Sequence, residues 1–160
     1  MVTFKPHQKE DLLFRVKWLN NPEANKFTVE NPKHKTTLLE QIKWLEDYEK
    51  NESKRFFTIL EDNQPVGFMG LSNIHKANRS ANLFIMIGED DARGKGIGEG
   101  SIKYLIKYGF EKLGLNSIEL EVDKRNISAL SLYKKLGFAQ TSEDKNEIKM
   151  VLKKGMATPA

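Results

Sequence analysis

Three apolar runs, RFFTILE (55–61), PVGFMGLSNI (65–74) and ANLFIMIG (81–88), follow one another through polar connections of three and six residues. Parallel neighbours need crossovers of a dozen or more residues, so connections this short allow only antiparallel pairing. A three-stranded meander is dictated before any other part of the chain is considered.

The meander runs into DARGKGIGEGS (91–101), which packs four glycines, an arginine and a lysine into one connection. The helical pattern of IKYLIKYGFEKL (102–113) follows, with Ile102, Leu105, Ile106, Gly109 and Leu113 on one face and Gly114 at its stop. NSIELEV (116–122) alternates strictly, Ile118, Leu120 and Val122 against Glu119, Glu121 and Asp123. Asn126 is placed to cap ISALSLYKKL, which Gly137 ends, and FAQTS and EIKMVLKK form a closing hairpin. Upstream, VTFKP (2–6) reads as an edge strand and KEDLLFRVKWLN as a helix burying Leu12, Val16 and Leu19. Pro22 opens a short turn, and residues 28–35 read as a loop. A second helix follows in TTLLEQIKWLEDYEK, capped by Thr37 with Glu40 and striped by Leu38, Ile42 and Leu45. The order β-α-α-β-β-β-α-β-α-β-β predicts an α+β fold on a mixed, mostly antiparallel twisted sheet of about seven strands.

No repeat or linker divides the 160 residues, so residues 1–154 are expected to form a single domain and 155–160 a disordered tail. The absence of cysteine excludes a disulfide framework, a Cys-based zinc site and a cysteine nucleophile. His7, His34 and His75 are scattered without metal-ligand spacing, so no metal is expected. No run approaches a membrane span or a signal peptide, which makes a cytoplasmic protein without a membrane partner the default. The net charge of +4 is spread among interspersed acids, with no clustered aromatic–basic surface to suggest nucleic acid.

Glycines between a strand and a helix let successive N–H groups point into one concavity, where the helix N-terminus adds positive charge. Arg93 and Lys95 add cations at the rim. A Walker loop is excluded because no Gly-x-x-x-x-Gly-Lys-Ser/Thr string occurs. A Rossmann loop fits poorly, since Ser101 stands at the third glycine position. Taken alone, the segment allows a plain turn, a Rossmann variant or an undefined anion nest.

RGKGIG (93–98), followed some thirty residues later by NISALSLYKKLGF (126–138), resembles the GNAT superfamily of N-acetyltransferases. Arg93, Gly96 and Gly98 match its pyrophosphate loop, and Asn126, Ala129, Tyr133, Gly137 and Phe138 its later signature. The form IGEDDARGKGIG looks most like the branch of ribosomal-protein, polyamine and nucleotide-amino-sugar acetyltransferases. The resemblance implies helices on both faces of the sheet and acetyl-CoA as donor. The amides of Gly94, Lys95, Gly96, Ile97 and Gly98 would hold its pyrophosphate beside Arg93, and the strand edge at Met86, Ile87 and Gly88 would pair with its pantetheine arm. Asn126 would orient CoA or a water, and Tyr133 would be the general acid toward the departing thiolate; from spacing alone, Tyr133 could equally be helix core.

Many relatives carry a glutamate on the strand before the loop, whereas ANLFIMI offers only Asn82. Glu119 or Glu121, with Glu121 the candidate catalytic residue, could relay a proton through water; both could equally be solvated or ion-paired. In this family the first helices shape the acceptor site, where Trp18, Asn20, Asn21, Phe27 and Trp44 could stack on and hydrogen-bond a sugar or base. Trp18 and Trp44 could instead pack the helices together. The expected activity is acetyl transfer to a primary amine by direct attack. The expected acceptor is a small molecule such as a nucleotide-linked amino sugar, with a protein N-terminus or a polyamine as alternatives. A non-catalytic acyl-CoA-binding module is the alternative outside enzymology, and a monomer or homodimer is the expected state.

Overall fold

The computed structural model describes residues 1–27 and 33–157. Strands β1 (Val2–Pro6), β2 (Arg55–Glu61), β3 (Gln64–His75), β4 (Ser80–Ile87), β5 (Ser117–Asp123), β6 (Ala139–Glu143) and β7 (Glu147–Lys153) form one sheet. Its order is β1-β2-β3-β4-β5-β7-β6. The expected meander is β2–β3–β4, antiparallel throughout. Asp62 and Asn63 take φ of 49° and 68° in the β2–β3 turn, the pair of positive values that suits a two-residue hairpin.

Among the described residues the single parallel contact lies between β4 and β5, and it is short. Ser80, Ala81 and Asn82 pair with Ser117, Ile118 and Glu119. Beyond Asn82 and Glu119 the two strands share no further pairs among the described residues, so the sheet opens into a V. One arm of the V ends at Ile87, the other at Asp123.

Helices α1 (Leu12–Leu19), α2 (Pro22–Asn25) and α3 (Leu38–Glu49) cover one face, over β2 to β4. Helices α4 (Ile97–Lys107) and α5 (Ile127–Lys135) cover the other. There Ile102, Leu105 and Ile106 of α4 and Tyr133 of α5 pack with Leu136 on Met69, Leu71, Ile118, Leu120 and Met150. Burying this many large side chains supplies the main drive to fold, at roughly 25 cal/mol per Å² of apolar surface removed from water.

The face of α1 differs from the expected one. Its buried residues are Leu12, Arg15 and Trp18, while Val16 and Leu19 are half-buried. The rotation is set by Arg15, whose guanidinium lies 3.8 Å from the Trp44 ring centroid and 4.4 Å from that of Phe68. Arg15 Nε donates to Gln41 Oε1 at 2.7 Å, so α3 in turn buries Gln41 and Leu45 and leaves Leu38 exposed. Of the expected loop at 28–35, residues 28–32 lie outside the described residues, as do residues 158–160 of the expected tail. Ala157 packs on the core, and the Met156 amide bonds the Lys153 carbonyl at 2.9 Å. No helix among the described residues is long and apolar enough to cross a membrane.

Candidate active site

The glycine segment forms a cradle at the end of the β4 arm. Gly96 caps α4 with φ +81° and no side-chain cap, a backbone state that L side chains rarely adopt. Among the described residues, the N–H groups of residues 94–99 find no acceptor; the first helical bond at this end runs from Gly100 to the Gly96 carbonyl at 3.2 Å. A Cβ at Gly94, Gly96 or Gly98 would meet nothing within 4 Å, so open space stands in front of these amides. Unpaired N–H groups and a helix N-terminus facing open space suit a diphosphate. The Gly94–Gly98 segment therefore fits the CoA group that the sequence implies.

The two expected cations are engaged elsewhere. Arg93 Nε donates to the Ile87 carbonyl at 3.1 Å, Nη2 to the Gly88 carbonyl at 3.2 Å, and Nη1 to Asp90. Arg93 thus ties the loop to the end of β4 and holds the Asp90 carboxyl below its usual range. Lys95 Nζ stands 3.8 Å from Glu61 on β2, half-exposed and able to turn. Met86 and Ile87 pair with Phe68 and Gly67 along β3, leaving the opposite backbone edge of the arm facing the V.

Gly88 has a packing role as well. A Cβ there would enter the Trp18 ring. Trp18 is 0 % exposed, packs against Phe14 and Phe68, and donates from Nε1 to Glu89 at 3.3 Å. Beside it, Lys17 Nζ reaches Glu89 at 2.8 Å and Asn21 Nδ2 reaches Asp90 at 3.1 Å. The residues 88–90 are thus gripped by α1 and its C-terminal turn. Sequence reasoning missed Glu89 and Asp90 because their partners lie about seventy residues away.

Asn126 and Tyr133 stand on the other arm. The Asn126 Oδ1 accepts from the Ala129 N–H at 3.3 Å, which caps α5. Its Nδ2 is not used by any described residue. Tyr133 lies with its ring buried against Phe138, and burial pushes its phenol up to about 12. Its hydroxyl makes no hydrogen bond among the described residues.

Among the described residues, α1–α3 cover only β2 to β4, and the same face of β5, β7 and β6 carries no helix. A groove of about 560 Å³ runs along it from the apex of the V, lined by Asn82, Glu119, Glu121, Thr141, Lys149 and Lys153 among others. Glu121 stands 3.8 Å from Lys149. Its carboxylate neighbours that of Glu147 and pushes the Glu147 carboxyl up. Thr141, Lys149 and Lys153 were not legible as site residues, because only the β5–β7 and β6–β7 registers bring them here.

The expected acceptor residues do not converge on this groove. Trp18 is a core residue, closed to any ligand by its packing on Gly88. Trp44 lies between the Arg15 guanidinium and the stacked rings of Tyr48 and Phe56, so its faces are occupied. Asn20 donates to the Thr36 carbonyl at 2.9 Å and accepts from its N–H at 2.7 Å, tying the end of α1 to the residues before α3. Phe27 alone faces the other arm, 5.4 Å from the Arg125 guanidinium, which Asp123 holds through two further bonds.

Comparison with known proteins agrees with this geometry. Residues 2–139 match the family described as "Acetyltransferase (GNAT) domain". A spermidine N(1)-acetyltransferase of Escherichia coli K12 is 30% identical over 142 residues, covering 89% of this chain and 75% of that one. The acetyltransferase PseH of Campylobacter jejuni is 30% identical over 146 residues, covering 91% and 87%. The crystal structure of a spermidine N-acetyltransferase from Vibrio cholerae with CoA and spermine superposes with a TM-score of 0.89 at 23% identity, covering 97% of this chain and 96% of that one.

Proposed function

The chain belongs to the GNAT acetyltransferase family, an N-acetyltransferase with acetyl-CoA as co-substrate, and from that premise we propose that its acceptor is the primary amine of a nucleotide-linked amino sugar. The observation that carries this reading is the mixed charge of the groove. Glu119 and Glu121 can receive an ammonium, while Lys149 and Lys153 can receive phosphates. An acceptor bearing both groups uses all four, whereas a polycation meets two repelling lysines. Phe27, 5.4 Å from the Arg125 guanidinium beyond the end of β5, adds an aromatic face that suits a base.

The second reading is a polyamine. It is favoured by the Glu119, Glu121 and Glu147 carboxylates and by the likeness to spermidine acetyltransferases. Initial rates of CoA thiol release separate the two. A nucleotide-linked 4-amino sugar is expected to exceed spermidine in kcat/KM by about a thousandfold, the scale of two lost charge-assisted bonds. A higher kcat/KM for spermidine overturns the choice.

Acetyl-CoA supplies an activated acyl group and a thiolate leaving group. The 94–98 amides bind its diphosphate, and the open edge of the β4 arm aligns it toward the apex. Tyr133 stays protonated at every working pH, with its phenol at about 12. Complete proton transfer to a thiolate in the ordinary range near 8.5 is uphill by about 5 kcal/mol. Tyr133 therefore serves the departing sulfur as a hydrogen-bond donor. Tyr133→Phe is expected to lower kcat about thirtyfold and leave KM for acetyl-CoA within about threefold. An unchanged kcat removes Tyr133 from the reaction.

A further inference from the structure

Amide formation must remove two protons from an ammonium, and the β4 arm supplies no carboxylate to take the first. Along Ala81–Ile87 the only polar side chain is that of Asn82. The parallel register places Glu119 directly beside Asn82, one strand spacing away, about 4.8 Å between backbones. The two form the last pair before the strands part. Both side chains lie on the bare face and line the groove.

We propose that Glu119, at the apex of the β4–β5 splay, is the general base of the acetyl transfer, with Asn82 positioning the proton path. The inference rests on the N-acetyltransferase reading and not on the identity of the acceptor. Glu119 carries out from the neighbouring strand what a β4 carboxylate would do.

The surroundings distinguish it from Glu121. On β5 its same-face neighbours are Ser117 and Glu121; Val151 stands directly opposite on β7, with Lys149 and Lys153 two pairs to either side. Among the described residues, Glu119 makes no hydrogen bond or ion pair. Glu121, in contrast, stands 3.8 Å from Lys149 and crowds the Glu147 carboxylate. It also lies two residues out along the arm. A base needs a free lone pair within reach of the amine, directly or through one water, and Glu119 has one at the apex.

The ammonium gives one proton to Glu119, which releases it along the open groove to solvent. The neutral nitrogen attacks the thioester carbonyl carbon, the C–N bond forms and the C–S bond breaks. The nitrogen's second proton passes to the thiolate that Tyr133 has hydrogen-bonded, leaving amide and free thiol.

The test compares Glu119→Gln and Glu121→Gln, assayed with a simple primary alkylamine in large excess, so that failure of the amino-sugar reading leaves it intact. Glu119→Gln is expected to lower kcat about a hundredfold near neutral pH while acetyl-CoA Kd and Tm stay unchanged. Its deficit should shrink as pH rises or as the amine is made less basic, because the neutral amine then forms without a base. Glu121→Gln is expected to raise KM for the amine and to keep the wild-type dependence of kcat on pH. A wild-type kcat and pH profile in Glu119→Gln overturns the proposal, as does the transfer of the whole effect to Glu121→Gln.

Discussion

Gly98→Val is expected to abolish acetyl-CoA binding while leaving the fold untouched. Gly98 sits in the first turn of α4, and a Cβ there meets nothing within 4 Å. Valine is a better helix former than glycine, so Tm should hold or rise slightly. The added isopropyl group instead occupies the space in front of the free amides, where the diphosphate must lie. Each charge-assisted bond lost is worth roughly 1.5–3 kcal/mol. Losing two predicts about a thousandfold weaker Kd by calorimetry. Gly96→Ala is the less clean variant, because its φ of +81° adds strain to any steric effect. A Kd within tenfold of wild type at unchanged Tm would mean that the diphosphate lies elsewhere.

The second large effect concerns His7, remote from the reaction. Its side chain is fully buried, with Nδ1 2.7 Å from Thr58 Oγ1. Burial, reinforced by the Arg15 guanidinium and opposed by Asp11, pushes the imidazole from 6.5 down to about 4. The unfolded chain therefore binds a proton near 6.5, whereas the folded chain refuses it until about 4. The stability is complete above 6.5 and is lost as pH falls through that window, by about 3 kcal/mol in all. The paired carboxylates Asp90, Asp123 and Glu143 are all depressed from their usual values, so they weaken folding only at the acid end. Urea unfolding at pH 7 and pH 5 should isolate the histidine. Wild type should lose about 2 kcal/mol between them, and His7→Gln should lose far less. Equal losses would assign the acid lability to other groups.

Local signals carried most of the fold. Short connections dictated the β2–β4 meander, glycines between strand and helix the cradle, and the Asn126 cap the start of α5. The errors came where partners are distant in sequence. No periodicity rule would bury Arg15 in preference to Val16; two aromatic faces and Gln41 make that placement possible. The aromatic residues of the first helices read as ligand-stacking surfaces because their type is ambiguous, and contact with Gly88 and Phe56 decides it. The groove was half legible. Glu119 and Glu121 showed in the alternation of one strand, but Lys149, Lys153 and Thr141 depend on register across β5, β7 and β6. The Asn82–Glu119 pairing, on which the assignment of the base rests, is likewise a fact of register.

The grip of α1 on residues 88–90 bears on how such a chain can be re-engineered. Trp18 rests on Gly88, Lys17 and Trp18 hold Glu89, and Asn21 holds Asp90, immediately before the cradle begins. The natural cut for a chimera, exchanging the first fifty residues to import another acceptor preference, would sever every one of these contacts. A transplant that carries Gly88, Glu89 and Asp90 along with the helices keeps the seam intact, so the transferable cassette is discontinuous in sequence although continuous in space.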